Sequence, residues 1–141
     1  MRPLSLVLAP AVALGAALAQ AQEKPSYDVS AAHMGAETYH VYCESCHGKD
    51  AKGTGPLADS LRIRPPDLTL LARRNDGKFP GDKVHKIIDG RESVKGHGGS
   101  DMPVWGDTFK NAREGYEDEK VKERITQLVD YLHSIQESPS K

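Results

Sequence analysis

The stretch Cys43-Glu44-Ser45-Cys46-His47 contains both cysteines of the 141-residue chain and decides how the rest of the sequence is interpreted. It has the pattern C-x-x-C-H, in which two thiols lie three residues apart and an imidazole follows at once. On one helical turn, each thiol can add to a vinyl group of a haem, on neighbouring pyrroles. The imidazole then lies where it can coordinate the iron. The motif therefore predicts one covalent haem c, attached to Cys43 and Cys46, with His47 as an iron ligand.

Two other uses of paired cysteines compete with haem attachment. A thioredoxin-like redox pair or disulfide is expected after a strand in a βαβ unit, whereas the residues before Cys43 have helical periodicity. A zinc site would need further ligands, and the chain has only two Cys, so histidines would have to complete it. Haem is favoured over both.

The N-terminus has the layout of a secretory signal peptide. Met1 and Arg2 precede an apolar stretch from Leu4 to Ala19, and small-residue triplets suited to cleavage end at Ala19 and Ala21. The stretch is shorter than the ~20 residues that span a bilayer. We expect residues 1–21 to be removed, with cleavage near 19–22, and the mature protein to be periplasmic; retention as an anchor stays open. Two free thiols in an oxidising compartment need an explanation, and haem attachment provides one.

The composition points to a single domain that needs a cofactor. Formal charge is −1, and acidic and basic residues are interspersed, so no nucleic-acid partner is indicated. The chain has only two Phe and one Trp. A domain with so few large apolar side chains is marginal in stability unless a buried group fills its core.

Hydrophobic periodicity predicts helices and no strand of useful length. We expect a disordered segment over 22–29, and a domain over 30–137. Ser30 is the expected N-cap of a helix that runs from about Ala31 into the cysteine motif. Asp67 is the expected N-cap of a short helix over 68–73. Asp82 is the expected cap of another helix, which ends at Gly90. The last helix shows one broad apolar stripe, formed by Val121, Ile125, Leu128, Val129, Tyr131, Leu132 and Ile135.

Met102 is the candidate for the sixth iron ligand. A thioether raises the reduction potential relative to a second imidazole, which suits electron transfer. Met1 is removed with the signal, and Met34 lies on the first helix, away from the cysteine face. Met102 lies in a glycine-rich loop that Pro103 stiffens. Its alternative role is that of a flexible core side chain, and the role of His97 in the same loop stays open.

Taken together, these motifs resemble those of class I c-type cytochromes of the small bacterial periplasmic monohaem type. The resemblance rests on the spacing of Gly35, Tyr39 and Cys43, on Tyr131, on the turn Gly55-Pro56-Leu57, and on Ser100-Asp101-Met102-Pro103-Val104-Trp105-Gly106. It implies an all-α cytochrome c fold, in which the first and last helices cross and short helices and loops enclose one haem. It also implies that the Pro56 carbonyl accepts a hydrogen bond from the second imidazole nitrogen of His47.

An iron with both axial positions filled has no place for a substrate, so we expect a one-electron carrier and not an enzyme. The expected partners are redox proteins, bound transiently by a monomer that meets membranes only through membrane-bound partners. The alternatives are a subunit of a dehydrogenase or oxidase complex and, less favoured, a haem peroxidase or gas-binding protein. Arg91 and Trp105 are candidate donors to a haem propionate. The remaining histidines are expected at the surface: His33, His40, His85 and His133.

Overall fold

The computed structural model describes residues 26–90, 102–111 and 117–137. The expected signal peptide and residues 22–25 lie outside these ranges, as do Arg91 and His97. Helices and turns make up the described part, and it contains no strand, which confirms the all-α class. The helices are α1 (Val29–Tyr42), α2 (Glu44–His47), α3 (Gly81–Asp89), α4 (Trp105–Lys110) and α5 (Asp118–Ser134), and short 3₁₀ turns occupy Ala58–Ser60, Leu68–Leu70 and Arg73–Asn75.

The first and last helices pack directly against each other, as expected, and form the frame of the domain. Gly35 makes the close approach possible, because a Cβ at this position would overlap the Gln127 carbonyl oxygen and lie 2.9 Å from the Cβ of Tyr131. One turn later, the ring centroids of Tyr39 and Tyr131 are 5.1 Å apart. At Gly35 the backbone of α1 therefore lies directly against α5.

The apolar stripe of α5 supplies most of the core. Val121, Ile125, Leu128 and Leu132 are buried, and they pack with Val84 and Ile88 of α3, Phe109 of α4 and Tyr39 of α1. Burial of one such side chain stabilises the fold by ~1.5–3 kcal/mol. This cluster forms one wall of the functional site described below.

Two helix starts differ from the sequence-based expectation. The cap of α1 is Asp28, whose carboxylate accepts a hydrogen bond from the Ala31 amide at 2.9 Å, so the helix begins at Val29 and includes Ser30. Asp and Ser are comparable caps, and the pattern alone cannot choose between them. Helix α3 begins at Gly81 after Pro80, which places Asp82 in the first turn. In the first turn, the Asp82 carboxylate still interacts favourably with the positive end of the helix dipole.

The segment between α2 and α3 is held against the end of α5. The Gln136 side chain accepts from the Ala72 amide and donates to the Leu68 carbonyl, each at 2.8 Å. The Glu137 amide donates to the Thr69 carbonyl at 2.9 Å. Asp67 caps the turn Leu68–Leu70 as expected, accepting from the Thr69 amide at 2.9 Å. These bonds fix the position of residues 67–75 beside the site.

None of the helices in the three described ranges has the length and apolar character needed to cross a membrane.

Candidate functional site

The cysteine motif forms a single helical turn directly after α1. Cys43 ends α1, and its carbonyl accepts hydrogen bonds from the amides of Cys46 and His47 at 3.2 and 2.9 Å. The buried Tyr39 hydroxyl donates to the Gly48 carbonyl at 2.6 Å, which anchors the far end of the turn. The turn is therefore fixed on both sides of the two thiols.

Cys43 and Cys46 are both half-buried, and no disulfide joins them. Burial, followed in size by the nearby Cys46, raises the pKa of the Cys43 thiol to about 12. In the unmodified chain the Cys43 thiol is therefore protonated at neutral pH, and it lies with Cys46 at one end of a cavity.

The turn that contains Pro56 lies against the motif helix. The Gly55 amide donates to the Cys46 carbonyl at 3.2 Å, and the Leu57 amide donates to the Ser45 carbonyl at 2.9 Å. These two bonds hold Pro56 beside α2 from both sides. The bond from His47 to the Pro56 carbonyl stays a prediction.

Two adjoining cavities open beside the motif, and the site residues line both. Cys43, His47, Arg64 and Met102 are common to the two cavities. The structure thus brings together the imidazole and the thioether that the sequence suggested as a pair. His47 is only 8% exposed, and Met102 is half-buried and packs against the hydrophobic core.

The smaller cavity, called the thiol end here, is lined by both cysteines and mainly apolar side chains: Tyr42, Leu61, Ile63, Pro65, Pro103 and Trp105. The Trp105 ring lies 5.5 Å from that of Tyr42 and 5.9 Å from that of Phe109, measured between centroids. Trp105 therefore belongs to an aromatic group beside the cysteines. Arg91, the other candidate donor to a propionate, lies outside the described residues.

The larger cavity, called the main cleft here, has a volume of about 420 Å³. Ligands of cofactor size occupy cavities of ~300–1,000 Å³. Apolar side chains form most of its walls: Pro66, Leu68, Leu71, Val84, Ile87, Ile88, Leu128 and Leu132. Arg74, Asn75 and Lys83 also line the main cleft, and the sequence alone did not single them out. In the sequence, Arg74 and Lys83 are marked only as cations that lie between short apolar segments, a pattern that does not indicate a site.

Among the described histidines outside the motif, two differ from the expected exposed position, because His85 and His133 are both half-buried. His33 and His40 are exposed, and His40 pairs with Glu44. His133 is half-buried because its ring stacks on Phe79, with centroids 4.4 Å apart, while its Nε2 lies 3.2 Å from the Ser26 hydroxyl. This histidine joins the chain preceding α1 to α5. Met34 is 55% exposed, consistent with the expectation that it is not a ligand.

The donor set and the walls fit a haem. Two thiols lie at one end, an imidazole and a thioether line the same space, and the remaining surface is largely apolar, as a macrocycle requires. No protein-family model matches the chain. The chain is similar to the cbb3-type cytochrome c oxidase subunit CcoP of Azospirillum brasilense, with 29% identity over 115 residues. That alignment covers 79% of this chain and 31% of the relative, so the chain spans about a third of the relative's length. The similarity supports a c-type cytochrome with a role in electron transfer.

Proposed function

We propose that the protein is an exported one-electron carrier of the class I monohaem type, with residues 1–21 as its signal and residues 30–137 as its haem domain. One haem c is bonded to Cys43 and Cys46, and His47 and Met102 are its axial ligands. The observation that supports this proposal most directly is that these four side chains line one cavity.

A bound haem supplies a reversible one-electron iron couple, and the protein determines how it is held and tuned. The turn from Cys43 to His47 fixes the thiols and the imidazole, and the Pro56 turn supports it from outside. The Met102 thioether provides a soft ligand that favours the reduced state. The apolar walls of the main cleft keep water from the macrocycle. With His47 and Met102 both bound to it, the iron would have no open position for a substrate, so the proposed function is electron transfer.

The surface around the thiol end suits transient docking of a redox partner. Ile63 and Val104 are 42% and 45% exposed, and Leu57, next to the motif turn, is 49% exposed. An exposed apolar group at the edge of a cofactor is suited to a small interface that forms and dissociates quickly. We propose that partners dock here, that the carrier is a monomer in the periplasm, and that it touches membranes only through membrane-bound partners.

A second function is favoured by the similarity to an oxidase subunit. In that case the chain would be a permanently bound cytochrome c subunit of an oxidase or a dehydrogenase. The same exposed residues, Leu57, Ile63 and Val104, would then form part of a lasting contact. The two functions share the haem site and differ in how long the partner stays.

Two measurements test the proposal. Exposure of the reduced protein to carbon monoxide should leave its absorption spectrum unchanged, because Met102 occupies the sixth position. Rapid carbon monoxide binding would instead favour a peroxidase or gas-binding protein. Purification from the native host at low and high salt then separates the two electron-transfer functions, since a carrier elutes alone and a subunit elutes with its complex.

A further inference from the structure

We propose that Arg74, Asn75 and Lys83 form the site that binds the two propionate carboxylates of the haem. This inference rests on the proposed function and assigns residues to a part of the cofactor that the cysteine motif does not reach. The three residues line the main cleft and are absent from the thiol end. They lie on two separate elements, the 3₁₀ turn Arg73–Asn75 and helix α3.

The chemistry of haem decides where its carboxylates must lie. The vinyl groups that accept the thiols are carried by two neighbouring pyrroles, and the propionates are carried by the other two, across the macrocycle. With Cys43 and Cys46 bonded, the carboxylates are therefore directed into the main cleft, away from the thiol end. A carboxylate in a largely apolar cleft is costly unless charged or polar donors meet it there.

The polar lining of the main cleft matches two carboxylates. Among the described residues, three cationic side chains line it, Arg64, Arg74 and Lys83, and no Asp or Glu of those ranges does so. Arg64 differs from the other two because it also lines the thiol end, where it donates to the Gly53 carbonyl at 3.2 Å and pairs with Asp59 at 3.8 Å. Of the cations that the structure describes, Arg74 and Lys83 are therefore the two that line the main cleft and not the thiol end.

The backbone around Arg74 holds it in position for this role. Arg74 donates one N–H to the Asp67 carbonyl at 3.0 Å, which leaves further donors of its guanidinium for an anion. The Asn75 side chain donates to the Lys78 carbonyl at 2.7 Å and closes the turn that leads to α3. Leu68, Thr69 and Ala72, which precede Arg74, are in turn bound to Gln136 and Glu137. Donors held in this way need little reordering when a carboxylate binds.

This assignment changes the candidate donors that the sequence suggested. Trp105 lies with the cysteines at the thiol end, between Tyr42 and Phe109, on the side where the vinyl groups attach. Its indole is therefore assigned to the wall beside the cysteines and not to a propionate.

The test uses haem-loaded protein that retains its haem after denaturation, so that failure of the proposed function is recognised before the variants are compared. Arg74→Gln and Lys83→Gln each remove one cation from the main cleft. Arg73→Gln and Lys86→Gln are matched controls, because these neighbours carry the same charge, are exposed as Arg74 and Lys83 are, and do not line the cleft. The readouts are the midpoint potential and the propionate bending band in resonance Raman spectra.

We expect both cleft variants to lower the midpoint potential, since an uncompensated carboxylate favours the oxidised iron, and to shift the propionate band. The controls should move neither readout, and Arg74→Lys should restore much of both. If the cleft variants cannot be told from their controls, the assignment is wrong. A wild-type potential that responds to added inorganic phosphate, with a propionate band unchanged in Arg74→Gln, would show a site for free anions and would also overturn it.

Discussion

Replacement of Gly35 by alanine tests the contact between α1 and α5 on which the site is built. The added Cβ would overlap the Gln127 carbonyl oxygen and lie 2.5 Å from the Gln127 carbonyl carbon. It would also lie 2.9 Å from the Tyr131 Cβ. None of these atoms is the flexible end of a side chain. The variant can therefore fold only if the two helices move apart.

The expected loss of stability follows from two opposing terms. Overpacking a closely packed core costs ~1–3 kcal/mol, and a clash with backbone belongs at the upper end of that range. The higher helix propensity of alanine relative to glycine raises the free energy of unfolding by ~1 kcal/mol. The net change is a loss of about 2 kcal/mol in the free energy of unfolding. For a domain of this size it corresponds to a fall in Tm of roughly 8 °C.

The assay is thermal unfolding of the haem-loaded protein, followed by far-ultraviolet circular dichroism. Gly81→Ala is the control, since it makes the same change at the start of α3, where the nearest atom to the new Cβ is 3.6 Å away. Its Tm should stay constant or rise slightly. Equal Tm values for Gly35→Ala and Gly81→Ala would refute the close helix contact.

Three further predictions concern the site. Tyr39→Phe leaves the buried Gly48 carbonyl without its donor and should lower the free energy of unfolding at pH 7 by ~1–3 kcal/mol. Burial raises the pKa of Tyr39 well above its usual value, so the unfolded phenol ionises first. Wild-type stability should thus fall as pH rises beyond ~10. The Phe variant should lose less over that range in alkaline denaturation curves; parallel curves would contradict the role of Tyr39. Met102→Ala should lower the midpoint potential and admit carbon monoxide to the reduced iron; a wild-type potential with the ferric band of iron–sulfur bonding retained would show that another group is the ligand. Because acidic and basic residues are interspersed along the chain, stopped-flow reduction by a native partner should slow only mildly as ionic strength rises. A collapse of the rate would reveal a concentrated charged docking surface.

Much of the fold was predictable because the deciding signals are local. The stripe on α5 and the stop at Gly90 depend on residues three or four apart, and both are found in the structure. The spacing of Gly35, Tyr39 and Cys43 likewise indicated the face of α1 that meets α5. The N-cap of α1 was less predictable, because Asp28 and Ser30 have similar capping preferences. Only the position of the first helical turn in the structure shows that Asp28 is the cap.

The cationic end of the cleft could not be predicted, because it depends on contacts between distant parts of the chain. Arg74 and Lys83 have the same local appearance as their neighbours Arg73 and Lys86. Arg74 lines the cleft because Gln136 and Glu137, far along the sequence, hold the preceding loop in place, and Lys83 does so because α3 packs against α5. The half-buried position of His133 has the same kind of origin, since it depends on Phe79 and Ser26.

Covalent attachment of one haem to Cys43 and Cys46 can be tested independently of its ligands and partners. The most direct measurement is the intact mass of the protein purified from the periplasm of a host able to attach haem c, taken under denaturing conditions. The measured mass should equal that of the mature chain plus one haem, and a variant with both Cys43→Ala and Cys46→Ala should have the unmodified mass. A wild-type chain with the unmodified mass, or with two hydrogens fewer as a disulfide would give, would contradict it.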